Sequence, residues 1–500
     1  MRDPFAEPFS RKQDLGLALP ESEHAVSVCL PTWRDVIGYE EGEDRVIEAM
    51  ECGYPRFVPH PVVAELFIAA SEEFAKSGEI ALVFPSLGAA WRCAEYVKRR
   101  SGASGRLESY GWNDLTAILI PDQAYDAAWK YWQHSGEIVS SRHAEAALTD
   151  APLPGEIEET GAEARRVLRE RIASFYEETD PDGVFLFSSG MAAVSAVHRV
   201  FLRRREGEPT VQVEFPYLDS LKVQEQFGEA IDFSVTASGG VEEFRDWQGA
   251  GNRAAAIFTE VPSNPLLRTA DLAGLSALAG ESETPLAIDD TVATCINVDA
   301  LRFGDVVTTS LTKTFSGAGN VAAGAVVVKR DSLFAGLLRE EMALEEAASP
   351  LFAPDAIVLE QNSRHFAERV QATNEVAEVV LGEIGDRREV ERLWFPSTEC
   401  RSYYDEVRRD GGGYGALFSM RLAGGERGAA SFYDALRISK GPSLGTNFSL
   451  CCPYTLLAHY GELDWAEARG AERNLVRLWI GLEDPEELVA RLEEALEATS

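Results

Sequence analysis

Residues 183–204 read GVFLFSSGMAAVSAVHRVFLRR. The run Val184–Phe187 is short, apolar and bounded by turn residues, so it reads as a strand, and the longer apolar stretch after Gly190 reads as a helix. Ser188, Ser189, Gly190 and Met191 fall on the turn between them. The same unit recurs as EIALVFPSLGAAWRCAEYVKRR (79–100), LTAILIPDQAYDAAWKYW (115–132) and PTVQVEFPYLDSLKVQEQF (209–227). AAAIFTEVPSNPLLRTADLAGLSALA (254–279) and TPLAIDDTVAT (284–294) continue the series. Alternation of this kind predicts a doubly wound α/β protein, with a mostly parallel sheet, helices on both faces and ligands at the carboxyl ends of the strands. The segment 84–100 shadows 187–204, but one likeness at no fixed period is not a repeat.

Five hundred residues suggest roughly three domains of ~150 residues each. The polar stretch near 147–166 and the end of the acidic helix near 337–349 mark breaks. The expected division is an N-terminal arm with an α/β accessory region (1–139), a large domain (140–336) and a smaller C-terminal α+β domain (337–500). The net charge of -35, with 82 acidic against 47 basic residues, repels nucleic acid and anionic membranes, so neither is expected as a partner. An acidic surface poor in lysine also suits high salt. No stretch approaches the ~18 apolar residues of a membrane span and no signal peptide is evident, so a cytoplasmic protein is expected. The seven cysteines lack C-x-x-C spacing and the seven histidines lack H-E-x-x-H, so no disulfide framework or metal site is expected.

Only eight lysines occur, and one interrupts the apolar stretch DVVTTSLTKTFSGAGNVAAGAVVV (305–328). If Lys313 ends a strand, alternation sends Ser310 and Thr312 to one face and Leu311 and Lys313 to the other. Two hydroxyls beside a lysine suit an imine with pyridoxal phosphate, the hydroxyls reaching the phosphate. A lysine snorkelling from a core strand is the plain alternative. Gly317 to Ala322 also fits a dinucleotide fingerprint, the mark of a nicotinamide-dependent dehydrogenase, but that fingerprint must open a helix and here it leads into a β-branched strand.

Other residues fit the same cofactor. Asp289 ends an apolar strand and could keep a pyridine nitrogen protonated, although an Asp-Asp pair could equally bind magnesium or cap a turn. The turn at Ser189, Gly190 and Met191 offers a helix N-terminus to a phosphate, or is a simple cap. Tyr217, read as a strand end, could stack on a ring. Asn264, between Pro262 and Pro265, could reach a ring hydroxyl. Arg477 lies in an apolar strand, where a guanidinium usually finds a carboxylate, such as that of an amino-acid substrate.

In chain order, S-S-G-M-A-A (188–193), Tyr217, E-x-P-x-N-P (260–265), D-D-T (289–291), S-x-T-K (310–313), S-L-G (443–445) and L-V-R-L-x-x-G (475–481) resemble the Cys/Met-metabolism family of pyridoxal-phosphate enzymes. The likeness runs from about Ser140 to the C-terminus and implies the fold-type-I, aspartate-aminotransferase-like architecture, with 140–336 binding the cofactor. It implies Lys313 as the lysine that carries pyridoxal 5'-phosphate, Asp289 as the partner of the ring nitrogen and Tyr217 as the stacking and proton-assisting residue. Ser189, Gly190, Met191, Ser310 and Thr312 would hold the phosphate, Asn264 the ring oxygen, and Ser443 with Arg477 the substrate carboxylate. HAVSVCLPTWRDVIGYEEG (24–42) and GYPRFVPHP (53–61) are similar to the start of the fungal-type cystathionine γ-synthases. This likeness implies γ-replacement of O-acylhomoserine by cysteine to give cystathionine, with cystathionine lyase and homoserine sulfhydrylase chemistry as alternatives and a non-catalytic relative as a remote one. It also implies a homodimer or homotetramer with active sites shared between subunits. Trp33, Tyr39 and Tyr54 fit either an arm packed on a neighbouring subunit or a core within the chain.

Three positions depart from the pattern. The family's tyrosine–serine–arginine motif, which reaches a neighbour's phosphate site, is Ser140-Ser141-Arg142 here, so Arg142 is retained for the cofactor and the tyrosine is not. The family's D-N-T is D-D-T, with Asp290 in the amide position, and Gly317-Ala318 replaces a glycine–histidine pair.

Overall fold

The computed structural model describes residues 2–54, 58–111, 114–149, 151–228 and 239–499. Their strands form three sheets. The largest comprises β4 (Val184–Phe187), β5 (Thr210–Gln212), β6 (Ala256–Glu260), β7 (Leu286–Asp289), β8 (Val306–Ser310) and β9 (Gly324–Val328), in the order β4-β9-β8-β7-β6-β5. Neighbours from β5 to β8 run parallel, whereas β9 is antiparallel to both β8 and β4. Its strands read as continuous apolar runs because both faces are covered. Val184, Leu186, Ala325 and Val327 face a core with the helix Gly155–Ala173, and Phe185, Phe187, Val326 and Val328 face one with the helix Gly190–Arg204.

The first two strand–helix units depart from the expected parallel series. β1 (Glu79–Phe84), β2 (Arg106–Tyr110) and β3 (Leu115–Pro121) make a separate sheet, order β1-β3-β2, antiparallel throughout. An apolar run shows that a strand is buried on both faces but not which way its neighbour runs. The likeness between 84–100 and 187–204 is nevertheless structural at the local level. Ser86 and Ser189 each cap a fifteen-residue helix at its N-terminus, on different sheets.

The third sheet holds β10 (Val390–Trp394), β11 (Leu417–Leu422), β12 (Ser439–Lys440), β13 (Leu450–Cys452) and β14 (Val476–Trp479), order β10-β11-β14-β13-β12. Its core is completed by the N-terminal segment: Phe9, Leu19, Leu30, Trp33, Val36 and Tyr39 pack with Phe418, Tyr433, Leu450 and Trp479. The Tyr433 hydroxyl donates to the Leu30 carbonyl at 2.7 Å and the Trp33 amide to Asp434 at 2.7 Å. Trp33 and Tyr39 therefore serve a core of their own chain. No helix among the described residues is long and apolar enough to cross a membrane.

Candidate active site

Ser189 starts the helix Gly190–Arg204. Its Oγ accepts the Ala192 amide at 3.0 Å and donates to the Gly136 carbonyl at 2.6 Å. The amides of Gly190 and Met191 donate to no other described residue, leaving a fifteen-residue helix dipole with its positive end open. Gly190 lies against β8 so closely that a β-carbon there would come 2.7 Å from Ser310 Cβ. Ser189, Gly190, Met191, Ser310 and Thr312 line one cavity at the carboxyl end of the central strands.

Lys313 lines the same cavity, but not from the end of a strand. β8 closes at Ser310, and Leu311 to Ser316 form turns because Thr312 and the Ala323 backbone exchange hydrogen bonds (3.2 and 3.0 Å) that fold the loop back. Leu311 enters the core, whereas Ser310, Thr312 and Lys313 all reach the cavity, so the strict alternation expected of a strand is lost. Lys313 Nζ donates to Ser443 Oγ at 3.0 Å and makes a longer contact, 3.5 Å, with the Tyr54 hydroxyl. Gly445, at φ +78, sits where a β-carbon would come 2.4 Å from the Thr314 amide nitrogen, so the 443–445 turn presses on the lysine loop.

Facing this loop are two carboxyls at the ends of adjacent parallel strands. Glu260 and Asp289 are register partners on β6 and β7, and both line the cavity. Asp289 accepts the Thr291 amide at 2.9 Å and the Thr308 hydroxyl at 3.1 Å. Burial pushes its pKa up despite these donors, which makes a cationic partner favourable. Burial, and then the charge of Asp289, push Glu260 well above the usual carboxylate range. Glu260 accepts the Tyr217 amide at 2.6 Å. Asp290 turns away, accepts the Tyr176 hydroxyl at 2.7 Å, and is pushed up to about 7, chiefly by burial. The described residues contain no cluster of three metal-ligating side chains.

Tyr217 is not at a strand end. β5 stops at Gln212, and Tyr217 is the residue before the helix Leu218–Phe227, where it still lines the cavity. Arg477 lies on β14 and is buried. Its guanidinium donates to Asn264 Oδ1 at 3.2 Å and to the carbonyls of Pro442 (2.8 Å) and Ser443 (3.1 Å), and lies 4.6 Å from the Tyr454 ring centroid. Its charge meets neutral oxygens and no ion pair among the described residues. Because Asn264 offers Arg477 its oxygen, its amide N–H groups remain for another acceptor.

Arg142 stands apart from these. It lines a second, smaller cavity and is held by Asp355 Oδ1 and the Asn320 carbonyl, both at 2.9 Å, while the Ser140 hydroxyl bonds the other Asp355 oxygen. Sequence reasoning places Glu260 in the E-x-P-x-N-P motif without a role, leaves Gly136 unmarked and treats Tyr54 as a packing aromatic. For Glu260 the signal was available, since it ends a strand of the same parallel series as Asp289.

Beyond Ala322 the glycine-containing loop enters β9 rather than a helix, so the dinucleotide reading has no structural support. The chain instead matches the Cys/Met metabolism PLP-dependent enzyme family over residues 158–497, and the fungal trans-sulfuration enzyme N-terminal domain over 62–140. Cystathionine γ-synthase of Neurospora crassa is 31% identical across 95% of this chain and 97% of its own. An L-2-amino-4-chloropent-4-enoate dechlorinase/desaturase of Streptantibioticus cattleyicolor is 30% identical across 94% of this chain and 95% of its own. Among solved structures, cystathionine γ-synthase from Xanthomonas oryzae pv. oryzae in complex with cystathionine superposes with a TM-score of 0.61 at 25% identity, covering 68% of this chain and 87% of that one. A profile spanning more than half of the sequence, joined to relatives aligned over nearly its whole length, gives the cavity its context: the chain belongs to the Cys/Met metabolism PLP-dependent enzymes and has their fold-type-I α/β architecture.

Proposed function

We propose that the enzyme replaces the γ-substituent of an O-acylhomoserine with cysteine, forming cystathionine. The observation that carries this reading is that one cavity holds an amine, a buried carboxyl, an open helix N-terminus and an arginine without a carboxylate partner. Those groups fit pyridoxal phosphate. Gly190 leaves a cradle at the helix start that a β-carbon would fill, suited to a phosphate with the hydroxyls of Ser310 and Thr312 beside it. Asp289 suits a ring nitrogen that must stay protonated, Asn264 the ring oxygen, Tyr217 the ring face, and Lys313 the covalent attachment.

When bound, the cofactor supplies an electron sink for bonds broken at the substrate's Cα and beyond. The chain supplies position and proton transfer. Arg477 and Ser443 bind the substrate carboxylate, which fixes the amino-acid backbone beside Lys313. The Lys313 amine takes the proton from Cα and serves again at Cβ, while Tyr217 assists. In the net reaction the C–O bond at Cγ breaks, the acid leaves, and the thiolate sulfur of cysteine bonds to that carbon.

The choice of acceptor thiol rests on the whole-length similarity to named cystathionine γ-synthases. We read the enzyme further as a cytoplasmic homo-oligomer, and the reading of its sites as shared between subunits is supported by Arg142 lying outside the cavity that holds Lys313. Incubation of the holoenzyme with O-acylhomoserine and either cysteine or sulfide tests the reaction. Cystathionine from cysteine is expected, and homocysteine from sulfide with no cystathionine from cysteine would overturn it.

A further inference from the structure

Tyr54 lies outside both family matches, which span 62–140 and 158–497, yet it lines the cavity and is 6% exposed. Its hydroxyl is 3.5 Å from Lys313 Nζ, which lies 5.5 Å from the centroid of its ring. Phenolic oxygen and aromatic face both favour a positively charged nitrogen.

The tyrosine is held by a chain of contacts that ends on the lysine loop. The backbones of Tyr54 and Val58 form a bridge, with the Val58 amide 3.0 Å from the Tyr54 carbonyl. Gly53 is pressed against His60, whose amide nitrogen a β-carbon would approach to 2.4 Å. The Cys52 thiol donates to the Ala25 carbonyl at 2.8 Å, and the next residue, Val26, donates its amide to the Gly319 carbonyl at 3.0 Å. Gly319 and Lys313 belong to the one loop between β8 and β9. The N-terminal segment and the lysine loop are thus locked together, and Tyr54 keeps its place over the amine.

We propose that Tyr54 is a further catalytic residue of this enzyme. Its hydroxyl and ring, with Ser443, keep the Lys313 nitrogen turned into the cavity and stabilise the cationic form of that nitrogen. This rests on the reading above in which Lys313 carries the cofactor. The other ionisable groups lining the cavity, Asp289, Glu260, Asp219, Arg477, Tyr217 and Tyr454, are unchanged when only Tyr54 is replaced, so a shift in the lysine's titration reports on Tyr54.

The test is a pH titration of the yellow absorbance of the purified holoenzyme and of Tyr54→Phe and Tyr54→Leu, with thermal unfolding recorded for each. Phenylalanine keeps the ring and removes the acceptor, so the midpoint is expected to fall by about half a pH unit. Leucine removes both and should lower it further. Turnover should drop about five-fold in Tyr54→Phe with little change in KM. An unchanged or raised midpoint in a Tyr54→Phe protein that unfolds like the parent would overturn the proposal, and this variant decides alone if Tyr54→Leu does not fold. A parent protein with no yellow band would overturn the assignment of Lys313 itself, and the role of Tyr54 with it.

Discussion

Gly190 and Ser310, on a helix start and a strand end 120 residues apart in sequence, touch so closely that no side chain fits between them: an added β-carbon would lie 2.7 Å from Ser310 Cβ and 3.0 Å from its Cα. The contact brings the open amides of the helix and the hydroxyls of the lysine loop to one point. Gly190→Ala must push these elements apart, and such overpacking costs about 1–3 kcal/mol. Pyridoxal phosphate should therefore bind the cofactor-free variant at least about five-fold more weakly, since ~1.4 kcal/mol is one decade in Kd. A titration that gives the parent's affinity would refute the assignment of this contact to the phosphate.

Arg477 carries a buried charge whose partners on the chain are carbonyl and amide oxygens. A substrate carboxylate would complete it. Removing one member of such a desolvated pair costs about 2–4 kcal/mol. Arg477→Ala should raise KM for the amino-acid substrate by thirty-fold or more on that scale, while the yellow colour persists because Lys313 is untouched. Steady-state kinetics beside an absorbance spectrum separate the two effects. An unchanged KM would place the carboxylate site elsewhere.

Glu137 follows the cavity-lining Gly136 and is fully buried between Arg92 and Arg199, whose guanidinium is 3.1 Å away, with the Tyr131 hydroxyl donating at 2.6 Å. Burial alone would raise its pKa, but Arg199 and Arg92 outweigh it and hold the carboxyl below the usual range. Arg199 belongs to the helix that begins at Gly190 and Arg92 to the helix Leu87–Ser101, so this cluster ties those two helices together. Glu137→Ala would leave Glu345, which lies 2.7 Å from Arg199 and 3.8 Å from Arg92, to balance both buried guanidinium groups, with an expected loss of about 3–5 kcal/mol. Urea unfolding measures it, and a loss below ~1 kcal/mol would show that Glu345 alone balances the arginines.

The parts of this site legible in the sequence are those whose chemistry is local. A strand, a Ser-Ser-Gly turn and an apolar helix announce Ser189, Gly190 and Met191 in consecutive residues, and Asp289 announces itself as a carboxyl closing an apolar run. Lys313 was visible as a lysine in the wrong surroundings, although the place where its strand ends was not, because the Thr312–Ala323 hydrogen bonds that end it join residues eleven apart. Contacts across the chain left little trace. Trp33 fills a core against Tyr433, four hundred residues on, with ring centroids 6.3 Å apart. Tyr54 reaches Lys313 from a segment whose pattern shows only aromatics and prolines. Nothing in a single sequence distinguishes an aromatic that packs from one that faces an amine.

Asp290 gives the enzyme a pH dependence that an asparagine would not. Its carboxyl is buried, accepts the Tyr176 hydroxyl at 2.7 Å, and holds its proton up to about 7 instead of the ordinary 3.8. Between those two values the native state binds more protons than the unfolded chain, so the contribution of Asp290 to stability is greatest in acid and falls as pH rises from 3.8 to about 7. Above that range the native protein must bury the charge beside Asp289. Asp290→Asn keeps an acceptor for Tyr176 and removes the charge, so the variant should melt higher than the parent at pH 8, with the difference shrinking as the pH is lowered towards 4. Thermal unfolding of both proteins across that range measures the effect. A variant less stable than the parent at pH 8 would mean that the Asp290 charge is compensated in the native protein, and that the aspartate is there for its charge.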